Sequence, residues 1–253
     1  MNIPRLHLET ALAAGRDVQL GKDDTHYLVT VMRRGQGDPV RLFNARDGEW
    51  LAQVSQASRK SAVLSVSRQL REARPVPDLD LLFAPVKKAR TDFIVEKATE
   101  LGARRIRPVL TRFTQSERVR IDRFMSIAKE AAEQTERLDI PEIAEAATLD
   151  RVLDGWDPDR ALIYCDEAGD DPDAQWGGDA GRAGPALEVF QRLATGRTAI
   201  LIGPEGGFSP DERTRLRSLP FVHAIGLGPR ILRADTAAVA ALTLWQAVLG
   251  DWA

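Results

Sequence analysis

Residues 198–212 read TAILIGPEGGFSPDE, and the fold follows from how these fifteen residues divide. Thr198 to Ile202 is a short apolar run rich in β-branched residues and bounded by glycine, which reads as a strand buried on both faces. Gly203-Pro204-Glu205-Gly206-Gly207 is a turn. Ser209 then fits a helix N-cap, Pro210 the first helical position, and Glu212 closes a capping box. Strand, glycine loop, helix is the repeating unit of an α/β protein. The same grammar extends outward: apolar strands are expected at 79–84, 105–110, 161–165 and 222–225. From Thr91, the residues Ile94, Ala98 and Leu101 recur at helical spacing and Gly102 ends the helix as a left-handed cap. Ile121, Phe124, Ala128, Ala131 and Thr135 line one face of a long helix. A last helix, Thr236 to Gly250, is apolar almost all round and must be buried on several sides. Strands alternating with helices argue for a parallel sheet.

Upstream the pattern differs. Val40 to Phe43, Trp50 to Val54 and Leu64 to Val66 are short strand-like runs, with turn residues Asn44 to Gly48 between the first two; a helical stretch near 23–33 interrupts them. Short strands with turn signals suggest a small β-barrel or meander. Arg74-Pro75-Val76-Pro77 favours an extended connector. Two domains are therefore expected, 1–74 and 75–253.

Of the 253 residues, 43% are hydrophobic and 28% charged, a globular balance. Cys165 is the single cysteine, so an intramolecular disulfide is excluded; it ends an apolar run and reads as core. The histidines His7, His26 and His223 are too scattered for a metal-ligand spacing, and His26 reads as a surface residue. The longest uncharged run, between Asp235 and Asp251, holds 15 residues, fewer than the roughly 20 of a membrane span. MNIPRLHLET lacks the basic-then-apolar layout of a secretion signal, so a cytoplasmic protein is expected, with no membrane partner and no metal. The net charge of −2 hides an uneven layout. Residues 1–74 carry 12 Lys/Arg against 8 Asp/Glu, residues 104–123 seven against two, and residues 133–179 three against 15. Near-neutrality thus leaves room for a polyanion partner on one face, although arginine-rich stretches are also ordinary solvated surface. Residues 166–183, acidic and rich in glycine, read as a long surface loop.

Two loops carry candidate chemistry: Gly203 to Gly207, and Gly226-Leu227-Gly228-Pro229-Arg230-Ile231-Leu232-Arg233. Both follow a strand directly, at the end where open α/β sheets bind ligands. Neither is a nucleotide motif of the familiar kind. A P-loop needs Lys-Ser/Thr where Phe208-Ser209 stands, and the dinucleotide fingerprint needs a third glycine where Ile231 stands. Glu205 would also repel phosphate. The loops suit a ligand with hydroxyls, amines or a positive centre, their glycines letting the backbone approach a flat ring; the plain alternative is two structural turns.

These residues, taken with Pro4-Arg5, His26 to Arg33 (HYLVTVMR), Glu96 to Gly102 (EKATELG), Glu133-Gln134 and Arg137, occur in an order that resembles the RsmE family, 16S rRNA uridine N3-methyltransferases of the SPOUT superfamily. The resemblance covers the whole chain. It implies a PUA-like β-barrel followed by a SPOUT α/β domain with a C-terminal trefoil knot, S-adenosylmethionine as methyl donor, and a homodimer acting on 16S rRNA or the small ribosomal subunit. It places the cofactor on Leu201, Ile202, Gly203, Pro204, Glu205, Gly206, Gly207, Leu227, Gly228, Ile231 and Leu232. Where the family has Glu before Thr-Ala in the last block, this chain has Asp235, which keeps the charge and shortens its reach.

Uridine N3–H is a weakly acidic imide between two carbonyls, so its methylation requires loss of that proton and stabilisation of the charge on the oxygens. Arg233 is the first candidate for the second task and Arg230 the next. Asp235, a water or the minor ionised form of the base itself could meet the first; Asp235 could equally stabilise the start of the last helix. RNA contacts are expected from Arg5, Arg33, Arg34, Lys87 and Lys88, and from Glu133, Gln134 and Arg137, with an intrahelical Glu133–Arg137 pair as the structural alternative. Leu242, Trp245 and Val248 on the last helix suggest a dimer face, although Trp245 also reads as packing. Two other functions stay open: a SPOUT ribose 2′-O-methyltransferase acting on tRNA or rRNA, and a non-catalytic RNA-binding ribosome assembly factor.

Overall fold

The computed structural model describes residues 3–115, 119–168, 173, 181–193 and 196–252. Most of the acidic stretch 166–183 therefore lies outside the described residues. Two compact units are present, one running to Pro75 and including Ala132–Ile140, the other Val76–Ala131 with the chain from Pro141 onward.

The first unit contains β1 (Arg5–His7), β2 (Asp17–Gln19), the single-turn α1 (Lys22–Thr25), β3 (Pro39–Asn44), β4 (Gly48–Ala57) and β5 (Ala62–Arg71). His26–Val31 continues α1 as a π-helical segment, in which the Met32 N–H reaches back to the Tyr27 carbonyl. The strands form one sheet in the order β1-β3-β4-β5-β2, with β1–β3 parallel and the other pairs antiparallel. Leu6, Leu28, Val40, Leu42, Val54 and Leu64 fill its core. The β3–β4 turn is written in Asn44 and Gly48. Asn44 Oδ1 accepts from the N–H groups of Arg46 and Asp47, and Gly48 takes φ +76° where a Cβ would lie 2.2 Å from the Arg71 carbonyl.

Residues 132–140 were expected in the second domain but belong to the first unit. Arg5 explains this. Its side chain is buried against Glu49 at 2.6 Å, and its remaining donors go to the carbonyls of Ala132, Glu133 and Arg137 at 2.8–2.9 Å.

The second unit contains β6 (Leu79–Phe83), α2 (Lys88–Glu100), β7 (Arg105–Leu110), all but the last three residues of α3 (Ile121–Gln134), β8 (Glu142–Ile143), β9 (Ala147–Thr148), α4 (Leu149–Asp154), β10 (Ala161–Cys165), α5 (Ala186–Arg192), β11 (Thr198–Ile202), α6 (Pro210–Ser218), β12 (Val222–Ile225) and α7 (Ala234–Leu249). Thr135 falls just beyond α3 rather than on its face. The sheet order is β12-β10-β11-β6-β7-β8, β9 also pairs with β7, and every pairing is parallel. The central strands β6 and β11 are buried at every residue, Asp80 and Thr198 among their otherwise apolar runs included. All strand C-termini in a parallel sheet lie at one edge. The loops after β6, β7, β10, β11 and β12 therefore share that edge.

Gly102 does end α2, and for two reasons. It has φ +80°, and the Ala103 N–H bonds the Ala98 carbonyl in a Schellman closure. A Cβ there would also stand 2.5 Å from Gln246 Nε2, which bonds the Leu101 carbonyl and ties α7 to the end of α2. Leu242 and Trp245, expected on a dimer face, are 0% and 1% exposed within a single chain, so they belong to its own core.

Candidate active site

β11 delivers the chain into Gly203–Phe208 at the C-terminal edge of the sheet. The Phe208 ring stands edge-on to Tyr164, ring centroids 5.0 Å apart, and covers Gly203 so closely that a Cβ there would meet the ring at 2.6 Å. Gly207 adopts φ +69°, closing the turn before Ser209. Ser209 then caps α6 by the expected box: Glu212 N–H donates to Ser209 Oγ, and Ser209 N–H to the Glu212 carboxylate at 2.8 Å. In the second loop Gly228 has φ +108°, a conformation open to few residues other than glycine.

A cleft of about 540 Å³ lies at this edge, within the range of small-molecule sites. Ile202 to Phe208 form one wall, Ile231 to Ala234 with Ala237 a second, and Cys165 to Ala168 a third; Lys87 and Arg90 complete it. Ile202, Gly203, Pro204, Glu205, Gly206, Gly207, Ile231 and Leu232 are thus brought together. Leu201 is not on the wall. It is fully buried in β11 and packs with Leu82, Leu162 and Tyr164, because its side chain points into the sheet's core. Leu227 and Gly228 also stand off the wall, and the Leu227 N–H donates to Glu167 Oε1 at 3.3 Å.

Arg233 lines the cleft and is exposed, and no hydrogen bond or ion pair holds its guanidinium among the described residues. Arg230 is exposed but lies off the wall. Asp235 is not the cap of α7. Arg233 occupies the N-cap position without a side-chain bond, and Asp235 sits in the first turn, where its Oδ1 accepts from the Thr236 N–H at 3.0 Å.

Three charged residues and one aromatic residue of the cleft have no counterpart among the sequence candidates. Arg90, in the first turn of α2, pairs with Glu205 and lies 3.9 Å from Asp235, so one guanidinium joins the glycine loop to the start of α7. Asp166 is buried and accepts from Arg213 at 3.2 Å and Arg217 at 2.8 Å, fastening the end of β10 to α6. Glu167 is half-buried, and burial raises its pKa against the opposing Leu227 N–H bond. Phe208 shapes Gly203. Asp166 and Glu167 directly follow a strand, so the strand-end rule could have found them; Arg90 has no local signal. Burial also pushes the Cys165 thiol up, keeping it a protonated core group.

Residues 72–246 match a family model described as an RNA methyltransferase domain, and residues 20–67 one described as an RNA methyltransferase PUA domain. The ribosomal RNA small subunit methyltransferase E of Rickettsia conorii is 32% identical, over 96% of this chain and 94% of its own. The chain belongs to the ribosomal RNA small subunit methyltransferase E family. Its fold is shared with the family member from Neisseria gonorrhoeae solved with S-adenosylmethionine bound (TM-score 0.83, 23% identity, 100% of both chains). A Legionella pneumophila methyltransferase solved with the same cofactor is likewise similar (TM-score 0.81, 24% identity, 98% of both chains).

Of the residues expected to contact RNA, the structure buries some and leaves others exposed. Arg5 is withdrawn, since its side chain is 3% exposed and its donors are spent on Glu49 and three carbonyls. Arg137 lies beyond α3 and pairs with Asp139 at 2.6 Å, at 8% exposure. Glu133 Oε1 accepts from the His7 N–H at 3.1 Å, and with Arg137 outside α3 a pair between Glu133 and Arg137 would not be one within the helix. Arg33, Gln134, Lys87 and Lys88 are exposed and Arg34 partly so. Among the described residues no helix is long and apolar enough to cross a membrane, and no cluster could hold a metal ion.

Proposed function

We propose that this chain uses S-adenosylmethionine to methylate N3 of a uridine in 16S rRNA of the small ribosomal subunit. The observation that carries the reading is the cleft itself, in which two glycine-bearing loops and the end of β10 meet at the C-terminal edge of a parallel sheet. Gly203 under the Phe208 ring and Gly207 at φ +69° give a backbone cradle that side chains would fill or strain. Ile202, Pro204, Ile231 and Leu232 supply apolar walls for a flat ring, while Glu167 offers a carboxylate to a cationic centre. These residues fit S-adenosylmethionine, and Ile202 to Gly207 with Ile231 and Leu232 would hold it. Bound there, the cofactor supplies an electrophilic methyl group on a positive sulfur.

The chain's own part is orientation and charge. Arg90 fixes Glu205 against the start of α7 and so keeps both loops in register. Because Arg90 takes Glu205, Arg233 retains its charge for the uracil oxygens that become negative as N3–H is lost. The N3 proton passes to Asp235 or to water. A PUA-like barrel in the first unit, a trefoil knot around α7, a homodimer and a cytoplasmic location complete the reading. It is tested by incubating the protein with small ribosomal subunits and labelled S-adenosylmethionine, then analysing nucleosides by mass spectrometry. Labelled 3-methyluridine is expected. A ribose-methylated nucleoside, or none, would overturn it.

A further inference from the structure

Next to the first cleft is a second cavity of about 260 Å³, lined by Pro85 to Lys88, Phe113, Gln115, Pro204 and Glu205. Lys87, Pro204 and Glu205 belong to both cavities, so the two share a wall. The unusual member is Phe113, 42% exposed on the turn after β7. An aromatic ring left in solvent forgoes its burial energy, and the turn that carries this one is pinned by hydrogen bonds. The Thr111 N–H donates to Thr114 Oγ1 at 2.8 Å, the Thr114 N–H to the Thr111 carbonyl at 3.2 Å, and the Arg112 N–H to the Glu212 carboxylate at 2.8 Å. The base of the ring rests on Gly206, where a Cβ would stand 3.2 Å from Phe113 Cβ. Lys87 and Lys88 are exposed on the same cavity.

We propose that this cavity is a subsite for one unpaired uracil of the RNA substrate, stacked on Phe113 with its phosphate toward Lys87 and Lys88. An exposed aromatic face on a hydrogen-bonded turn beside ammonium groups is the combination that captures single-stranded bases. The cavity is too small for a folded partner, and the shared wall places its occupant beside the cleft. The inference rests on reading that cleft as the methyl-donor site.

The test compares Phe113→Leu, which keeps apolar packing on Gly206 but has no π-face, with Phe113→Trp. Binding of hexauridylate and of an abasic ribose-phosphate hexamer is measured by fluorescence anisotropy in the presence of S-adenosylhomocysteine. Phe113→Leu should weaken hexauridylate by roughly 5- to 150-fold, leave the abasic hexamer unchanged, and leave S-adenosylhomocysteine affinity unchanged; Phe113→Trp should bind as wild type. Turnover on small ribosomal subunits then identifies the stacked base. A fall in kcat with Phe113→Leu makes it the reacting uridine, and a rise in KM alone makes it a neighbour. Equal affinity of Phe113→Leu and wild type for hexauridylate would overturn the subsite, as would equal losses on the two hexamers. Selective loss on hexauridylate by a protein that methylates no nucleoside would keep the subsite and sink the methyltransferase reading.

Discussion

Replacing Arg5 by alanine separates a structural arginine from an RNA contact. The wild-type guanidinium bonds Glu49 at 2.6 Å, with both side chains at or below 3% exposure, and satisfies three backbone carbonyls. Its loss leaves buried Glu49 with Arg71 at 2.9 Å, a partner 38% exposed, and Arg41 at 3.8 Å, which compensate only partly, and takes one donor from each of the carbonyls of Ala132, Glu133 and Arg137. Breaking a buried pair from one side costs about 3–5 kcal/mol. At an m-value of about 2 kcal/mol per M, the urea midpoint of the first unit should fall by roughly 2 M. The pH dependence carries the same signature. Burial alone would raise the Glu49 carboxyl, but hydrogen bonds from Arg71 and Arg5 bring it below its usual 4.5. A depressed folded-state pKa adds stability above the unfolded value and loses it as pH falls, so the wild-type midpoint should drop on acidification below about 4.5 and the variant should drop less. Urea titration by tryptophan fluorescence, with RNA affinity measured against salt, reads both. An unchanged midpoint with a shallower salt slope would refute the structural role and return Arg5 to the RNA surface.

Arg233→Ala should lower single-turnover methylation by about 10²–10³-fold, as loss of one oxyanion donor does, with little change in cofactor affinity or melting temperature; Arg233→Lys should rescue little. A normal rate would remove Arg233 from the reaction. Gly206→Val puts a branched Cβ against Phe113 and into the cleft wall, and should weaken S-adenosylhomocysteine by at least about tenfold in calorimetry. Unchanged affinity takes that glycine out of the site. Because burial raises the Glu167 carboxyl above its usual 4.5, affinity for the cationic S-adenosylmethionine should improve as pH rises through that group's range, more steeply than for the uncharged thioether product. Parallel profiles for the two ligands would exclude Glu167 as the cation's partner.

The parallel sheet was legible because strands buried on both faces are dense in apolar residues, as 79–83, 161–165 and 198–202 are, whereas 105–110 and 222–225 are shorter on them and are only partly buried. The two-residue strands β8 and β9 and the six-residue α4 were not, since so few residues carry no period. Nor could the sequence assign 132–140 to the first unit, because that assignment rests on Arg5 bonding carbonyls up to 132 positions away. The same limit governs the site. Glycine loops after strands announce themselves locally, whereas Arg90 meets Glu205 across 115 residues. An arginine on a polar stretch reads alike whether solvated, as Arg33 is, or buried, as Arg5 is.

The charge of the cleft shows what such long-range pairing does to a local argument. From sequence, Glu205 was the carboxylate that disfavoured phosphate and invited a cation. In the structure Arg90 neutralises Glu205, and Arg213 with Arg217 neutralises Asp166. Of the carboxylates on the wall, Glu167 is the one engaged by a backbone N–H rather than by a hydrogen-bonded arginine, and it is also the one whose pKa burial has raised. A half-buried carboxyl in that state gains more from a nearby cation than a solvated or paired one, because the ligand relieves a desolvation cost already present. The preference for a positive ligand therefore survives, but it moves from the glycine loop to the end of β10. Arg233, exposed on the same cleft, is held by no hydrogen bond or ion pair among the described residues. On the proposed reading, the cleft would offer a negative group to the donor's sulfur and a positive one to the acceptor's oxygens, the polarity that methyl transfer to a uracil anion requires.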